Sequence, residues 1–294
     1  MLLALLLSAG TSCRRTPALA DGWTALRDSL DAFPATVGVS VLTDSGSVFA
    51  YGDTAALPLL SVVKFPLALA VLDRMDRRGT PFDTLFTLTP AELREHTYSP
   101  LRDRMPGRRG RVRMDTLLYY AVALSDNNAC DVLFGYVGGP SAVERYVHRL
   151  GEEDVRIRAT EDDMHRDVRR VLDNAASAQA VARLFRAFLR DSLLAAPQAA
   201  FLRGVLEQTA TGADKLRAGL PPAAVLGHKT GSSDRSPDGV KAADNDAGYF
   251  VMPSGHRYYV AVLVHNSRAS DARNAALAAR VARTVAAAAA AGAP

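Results

Sequence analysis

The 294 residues, 48% hydrophobic and 22% charged, are enough for one large domain or two small ones with a real core, and they exclude a disordered or collagen-like chain. The formal charge of +4 is modest. The local basic run Arg108, Arg109, Arg111 and Arg113, flanked by Gly107 and Gly110, lacks the interleaved aromatics of nucleic-acid readers, so it reads as a solvated loop and no nucleic-acid partner is expected.

Residues 1–20 read as an export segment. Met1 to Gly10 is apolar through Leu2, Leu3, Ala4, Leu5, Leu6 and Leu7, too short to span a bilayer and similar to a secretory h-region. The positive n-region is missing, as it would be if a longer signal began upstream. Cys13, after Gly10-Thr11-Ser12, resembles a lipoprotein cleavage site, although Gly10 stands where such sites prefer leucine. The expectation is a periplasmic or secreted protein, with a lipid anchor at Cys13 as its variant. The other cysteine, Cys130, sits in an apolar helical pattern and reads as a small buried hydrophobe. No metal-ligand spacing occurs and the six histidines are scattered, so neither metal nor cofactor is expected.

From Asp21 the elements follow in order. Asp21 to Phe33 predicts a helix capped by Asp21, with Trp23, Leu26, Leu30 and Phe33 at helical spacing. Thr36 to Leu42 alternates as a strand, Asp44-Ser45-Gly46 turns, and Ser47 to Tyr51 returns as a hairpin. A helix beginning near Leu60 and stopped by Gly79 follows, with Pro66 awkward inside it. At its mouth stands Ser61-Val62-Val63-Lys64. Positions three apart share a helix face, so Ser61 and Lys64 point the same way. A serine hydroxyl is a poor nucleophile at neutral pH and needs a base beside it; a lysine one turn along can be that base. The unpaired backbone donors of a helix start suit an oxyanion.

From Pro81 to about Leu206 the pattern is mostly helical. Thr89-Pro90-Ala91-Glu92 predicts a capping box, and Asp115 a cap for Thr116 to Leu124. Further helices are predicted over Asn127–Tyr136, Ser141–Leu150, Ser177–Arg190 and Pro197–Leu206, with Arg156 to Ala176 a long polar loop. Strands return over Ala223–Lys229, Gly248–Met252 and Arg257–His265, the last two joined by Pro253-Ser254-Gly255, and an alanine-rich helix closes the chain over Asp271–Ala291. The fold class expected is α+β: a five-stranded antiparallel sheet flanked by the terminal helices, with an all-helical lobe inserted. Residues 21–294 read as one domain, 21–60 and 208–294 making the α/β lobe and 61–207 the helical lobe.

Two further motifs join Ser61 and Lys64. Ser125-Asp126-Asn127 lies at a break between helical patterns, and Lys229-Thr230-Gly231 ends a strand. Each alone could be a helix cap or a strand edge. Together, in this order, they form the motif set of class A β-lactamases and penicillin-binding proteins. The chain resembles the class A serine β-lactamases from about Asp21 to its end, and most of all the branch found in Bacteroidetes and in some extended-spectrum enzymes. Thr97-Tyr98-Ser99-Pro100-Leu101-Arg102, Ser125 to Asp131, Thr160 to His165 and Gly227 to Ser232 carry that resemblance.

The resemblance implies roles. Ser61 would attack a lactam carbonyl, Lys64 would accept its proton, and Ser125 would protonate the departing nitrogen. Asn127 would hold the acylamino group and Tyr98 would form an aromatic wall. Lys229, Thr230 and Ser232 would hold the substrate carboxylate, with the backbone N–H groups of Ser61 and Ser232 as the oxyanion hole. Glu161 would activate the water that clears the acyl-enzyme, and His165, where most relatives carry asparagine, would help position it. The family's usual arginine two residues before the loop glutamate is replaced by Ala159, so the loop must be held differently. Lys215, Arg217 and Arg235 are candidates to assist carboxylate binding, and the polar turn after Ser232 fits a cephalosporin-tolerant site. A monomer acting on a small β-lactam is expected. The competing readings are a penicillin-binding peptidase or transpeptidase, which lacks a deacylating glutamate, and a β-lactam sensor acylated without turnover, which normally needs a membrane span.

Overall fold

A computed structural model describes residues 17–191 and 193–292. Cys13 and most of the export segment lie outside the described residues. In chain order, α1 (Pro17–Asp31) leads to the hairpin β1 (Thr36–Thr43) and β2 (Ser47–Tyr51). A short strand β3 (Leu57–Pro58) enters a 3-10 turn, Leu60–Val63, that runs into α2 (Lys64–Arg78). Strand β4 (Leu85–Leu88), the single turn α3 (Pro100–Asp103) and strand β5 (Gly110–Arg113) precede α4 (Met114–Val122), α5 (Asn127–Val137) and α6 (Pro140–Arg149). Next come β6 (Arg156–Ile157), α7 (Glu161–Arg166), β7 (Asn174–Ala176), α8 (Ala178–Arg190) and α9 (Ala196–Glu207). The last elements are β8 (Val225–Ser232), β9 (Lys241–Val251), β10 (Arg257–Ser267) and α10 (Asp271–Ala290).

The expected fold class holds: five strands, in the order β2-β1-β10-β9-β8, form an antiparallel sheet. Its two faces follow the strand period of two. Val37, Val39 and Val41 of β1, with Val260, Val262 and Val264 of β10, pack against Leu26 and Leu30 of α1 and Val281 and Val285 of α10. The alternate residues, Leu42, Tyr249, Tyr259, Ala261 and Leu263, turn to the other face, where they join a second core with α2 and α8. Lys64 to Leu72 is buried throughout, as expected of a helix apolar all round and threaded through the middle of a lobe. Pro66 causes no break there. It is the third residue of α2, so its missing N–H is one that the first turn leaves unpaired anyway.

Several expectations are corrected. Helix α1 begins at Pro17, so Asp21 lies inside it and caps nothing. Thr89 and Glu92 do make their reciprocal contact, with Thr89 N to Glu92 Oε2 at 2.8 Å, but it closes an isolated turn and no helix follows. Asp115 does not cap α4; it sits in the first turn and binds Arg113. The basic run is partly strand: Gly110–Arg113 pairs with Leu85–Leu88, burying Val112 between exposed arginines. The polar stretch 156–176 carries β6, α7 and β7, each too short to leave a periodic signal. β9 begins at Lys241, seven residues before Gly248, because polar Asp244, Asn245 and Asp246 are buried within it.

Asn245 explains why such a residue lies in a central strand. Its Nδ2 donates to Pro58 O at 2.7 Å and Leu59 O at 3.1 Å, and its Oδ1 accepts from Val264 N at 3.0 Å. One buried amide thus ties the segment entering the Ser61 turn to β9 and β10. Asn245→Ala removes the side-chain partner of Pro58 O and of Val264 N and leaves Leu59 O with Val62 N alone, in a dry site, and should cost about 3 kcal/mol of stability. Chemical denaturation checks this; a loss under about 1 kcal/mol would contradict it.

Candidate active site

The first side chain to place is Lys64. It is fully buried at the head of α2. Its Nζ donates to Ser61 Oγ at 3.0 Å, to Ser125 O at 2.8 Å and to Asn127 Oδ1 at 2.6 Å. Nζ also lies 3.0 Å from Glu161 Oε1, an ion pair whose angle falls short of a hydrogen bond. A buried charge is tolerated only when paired and hydrogen-bonded, and here every proton of an ammonium has an acceptor.

Ser125 occupies the sharp break between α4 and α5 with φ +59°, a left-handed conformation uncommon for serine. Asp126 holds it there. The buried Asp126 carboxylate caps α5 by accepting from Ala129 N at 2.8 Å, and also accepts from Leu101 N at 2.7 Å and Ser99 Oγ at 2.9 Å. Capping by Asp126 leaves Ser125 Oγ to receive Lys229 Nζ at 3.0 Å. Lys229 is fully buried, and burial, reinforced by the charge of Lys64, drives its pKa well below the usual lysine range. Asn127 is fixed by donating from Nδ2 to Thr97 Oγ1 at 2.8 Å.

Strand β8 brings Thr230 and Ser232 to the same cleft. A Cβ on Gly231 would meet Leu59 O at 2.5 Å and Ser61 N at 3.1 Å, so only glycine lets the strand lie against the Ser61 turn. Ser61, Ser125, Thr230, Ser232, Lys215 and the exposed ring of Tyr98 line this cleft of about 390 Å³. Of the three basic candidates, Lys215 is the one that lines it, paired to Asp244 Oδ1 at 2.5 Å. Arg217 bonds the carbonyls of Ala224 and Pro221, and Arg235 bonds Asp271 and Ala269 O. On the other side of Asn127 a second cavity, about 420 Å³, is lined by Glu161, His165, Asp131, Arg94 and Thr97. His165 is exposed at its rim, one helical turn from Glu161.

The α7 segment is held without the usual arginine–aspartate pair. The buried side chain of Asn174 accepts from Arg158 N at 2.8 Å and Ala159 N at 3.0 Å, and donates to Ala159 O at 2.8 Å. Thr160 and Asp163 form a capping box at the start of α7. Asp131 of α5, four residues after Asn127 on the same helix face, accepts from Glu161 N at 2.8 Å and Asp162 N at 3.0 Å. Asn174 and Asp131 were not among the residues assigned roles from sequence. The i, i+4 spacing from Asn127 is the signal that could have found Asp131; Asn174 left none.

Similarity to known proteins agrees with this geometry. A family model described as "Beta-lactamase enzyme family" matches residues 23–289. The chain is similar to a β-lactamase of Bacteroides uniformis, 39% identical over 93% of this chain and 94% of the relative. It is also similar to the extended-spectrum β-lactamase PER-1 of Pseudomonas aeruginosa, 34% identical over 85% and 81%. Among solved structures, a class A β-lactamase from Bacteroides cellulosilyticus superposes with a TM-score of 0.88 at 41% identity, covering 92% of this chain and 98% of that one.

Burial pushes the Asp131 carboxyl from 3.8 up to about 6, with the charge of Glu161 adding to the rise and the two backbone donors and Arg94 opposing it. The folded protein therefore holds this proton more tightly than the unfolded chain. The corresponding stability is full below about pH 4 and is lost as pH rises through about 6. Relative to Asp131→Asn, the native chain should lose about 3 kcal/mol of stability between pH 4 and pH 7. Urea unfolding of both proteins at the two pH values checks this, and parallel pH curves would contradict it.

Proposed function

The chain belongs to the β-lactamase enzyme family, as a class A enzyme that hydrolyses β-lactams, and from that premise we propose how its side chains divide the reaction. The observation that carries the proposal is the shared contact of Lys64 with Ser61 Oγ and with the Glu161 carboxylate, each at 3.0 Å. Nucleophile and water-activating base thus meet at one nitrogen.

Ser61 Oγ attacks the lactam carbonyl carbon, and the oxyanion is stabilised by the backbone N–H groups of Ser61 and Ser232. The proton of Ser61 passes through Lys64 toward the Glu161 carboxylate; Ser61 Oγ and Glu161 Oε1 each lie 3.0 Å from Lys64 Nζ. As the carbonyl–nitrogen bond breaks, Ser125 Oγ protonates the nitrogen and is resupplied from Lys64 or Lys229, both of which it faces. Lys229, Thr230, Ser232 and Lys215 hold the substrate carboxylate; a carboxylate arriving beside Lys229 favours its charged form. Asn127 binds the acylamino group and Tyr98 covers the ring. In the second half Glu161, its proton having returned through Lys64 and Ser125 to the ring nitrogen, takes a proton from water; the hydroxide adds to the acyl-Ser61 ester, and as the acid leaves that proton passes back through Lys64 to Ser61 Oγ. His165 orients that water or the substrate side chain from the cavity rim.

The cavity beside Glu161 supports a substrate with a bulky acylamino side chain, cephalosporins included. The apolar export segment supports a periplasmic or secreted protein, with a lipid anchor at Cys13 as the variant. Among the described residues no helix is long and apolar enough to cross a membrane. A sensor acylated without turnover, or a peptidase that a β-lactam traps as an adduct, leaves that ester standing, whereas a carboxylate where Glu161 stands can activate water against it.

Two variants test the division of labour. Ser61→Ala should form no covalent adduct with a penicillin by intact-protein mass spectrometry and lose at least 10³-fold in kcat/KM, in the range seen for an essential nucleophile. Glu161→Gln should acylate and then stall, with the adduct accumulating while kcat falls at least 10²-fold, the usual scale of general-base catalysis. A Glu161→Gln protein that turns over with no adduct would show that another base clears the ester.

A further inference from the structure

Arg94 lies outside the motifs and the reaction steps given above, yet it meets both carboxylates that surround the start of α7. Its Nη1 donates to Asp131 Oδ2 at 2.9 Å, and its Nε lies 3.2 Å from Asp162 Oδ1. The backbone beneath the guanidinium is pinned. Arg94 N donates to Asn128 Oδ1 at 3.2 Å, Asn128 Nδ2 donates back to Arg94 O at 3.1 Å, and Arg102 Nη1 donates to the same carbonyl at 2.8 Å. Asn128 is itself buried in α5, so the guanidinium is aimed from a fixed base.

What it is aimed at decides where Glu161 sits. α7 has six residues, too few to be stable by its own hydrogen bonds. The N–H groups of its first turn have no intrahelical partners, and two of them, on Glu161 and Asp162, go to Asp131. Asp131 is therefore the peg on which the Glu161 backbone hangs. A buried carboxylate next to a second carboxylate needs a counter-charge to remain a good acceptor, and Arg94 supplies it while also gripping Asp162 from the α7 side.

We propose that Arg94 is a positioning residue for deacylation: by joining Asp131 of α5 to Asp162 of α7 it keeps the first turn of α7, and with it the Glu161 carboxylate, over Ser61. This rests on the reading of Glu161 as the base that clears the acyl-enzyme. Arg94 touches none of Ser61, Lys64, Ser125 or the β8 edge, on which attack and ring opening draw first, whereas clearing the ester draws on Glu161 directly, so its loss acts most on the second half-reaction. Shortening to lysine leaves one cation that can reach one carboxylate at a time, and so restores part of the effect.

The test measures the two half-reactions separately on the full-length enzyme with a chromogenic cephalosporin, by stopped-flow absorbance and quenched-flow mass spectrometry. Arg94→Ala should keep the acylation rate within about twofold while the deacylation rate falls about tenfold or more, so that a burst and a standing adduct appear; Arg94→Lys should fall between Arg94→Ala and the native enzyme. Glu161→Gln is run beside them. If Glu161→Gln stalls as an adduct but Arg94→Ala deacylates at the native rate, the Arg94 proposal is overturned and the Glu161 reading stands. If Arg94→Ala slows both half-reactions equally and Arg94→Lys rescues neither, Arg94 is a general structural contact and the proposal is likewise overturned. If Glu161→Gln itself turns over without an adduct, the reading of Glu161 falls and the proposal falls with it.

Discussion

The constraint on which the rest depends is the burial of the Lys64 ammonium. Its surroundings in α2 are apolar from Phe65 to Leu72, an environment that penalises an unpaired charge by several kcal/mol. The offset comes from three acceptors and one counter-charge supplied by separate segments: Ser61 Oγ from the preceding turn, Ser125 O from the α4–α5 break, Asn127 Oδ1 from α5 and, as the ion-pair partner, the Glu161 carboxylate from α7. The charge can be buried only when those segments have come together. Assembly of the groups proposed as catalytic is thus the condition for closing the core around them, and removing one acceptor strains that same site.

Around that nitrogen the chain uses buried amides and carboxylates as fasteners. Asn245 joins the approach to Ser61 to the sheet, Asp126 fixes the strained Ser125, and Asn174 closes the base of the α7 segment. At the last of these, three neutral hydrogen bonds stand in place of an ion pair. Such bonds carry no charge to desolvate, and each is worth about 1 kcal/mol. The expectation that Ala159 obliges this segment to be held another way is met by Asn174. Asp131 adds a charged fastener whose acceptor strength depends on its surroundings, which makes the α7 segment the electrostatically tuned part of the cleft.

Much of this was legible from residues. Period-two and period-3.6 patterns marked the hairpin, α5, α6, α8 and α10 within a few residues, and the three spaced motifs brought Ser61, Lys64, Ser125, Asn127 and Lys229 to one place, where the structure has them in hydrogen-bond contact. What escaped had physical reasons. β9 was half read because burial of Asp244, Asn245 and Asp246 contradicts the apolar signature of a central strand. β6 and β7, of two and three residues, are shorter than any period. Thr89 showed cap chemistry with no helix to cap, and Asp115 lies one residue inside the helix it was expected to open, since a side chain that bonds a nearby backbone group or arginine stabilises a turn as readily as a helix start. Arg94 was invisible because nothing local distinguishes an arginine aimed at two carboxylates from a solvated one.

The central claim, that an acyl-Ser61 formed in this cleft is cleared by water activated at Glu161, is tested most directly by following the native enzyme with a chromogenic cephalosporin in excess. Sustained hydrolysis over many equivalents is expected, with no burst larger than one equivalent and no adduct persisting once substrate is spent. A single-equivalent burst followed by near silence would contradict it, because the ester would then form and find no base positioned to clear it.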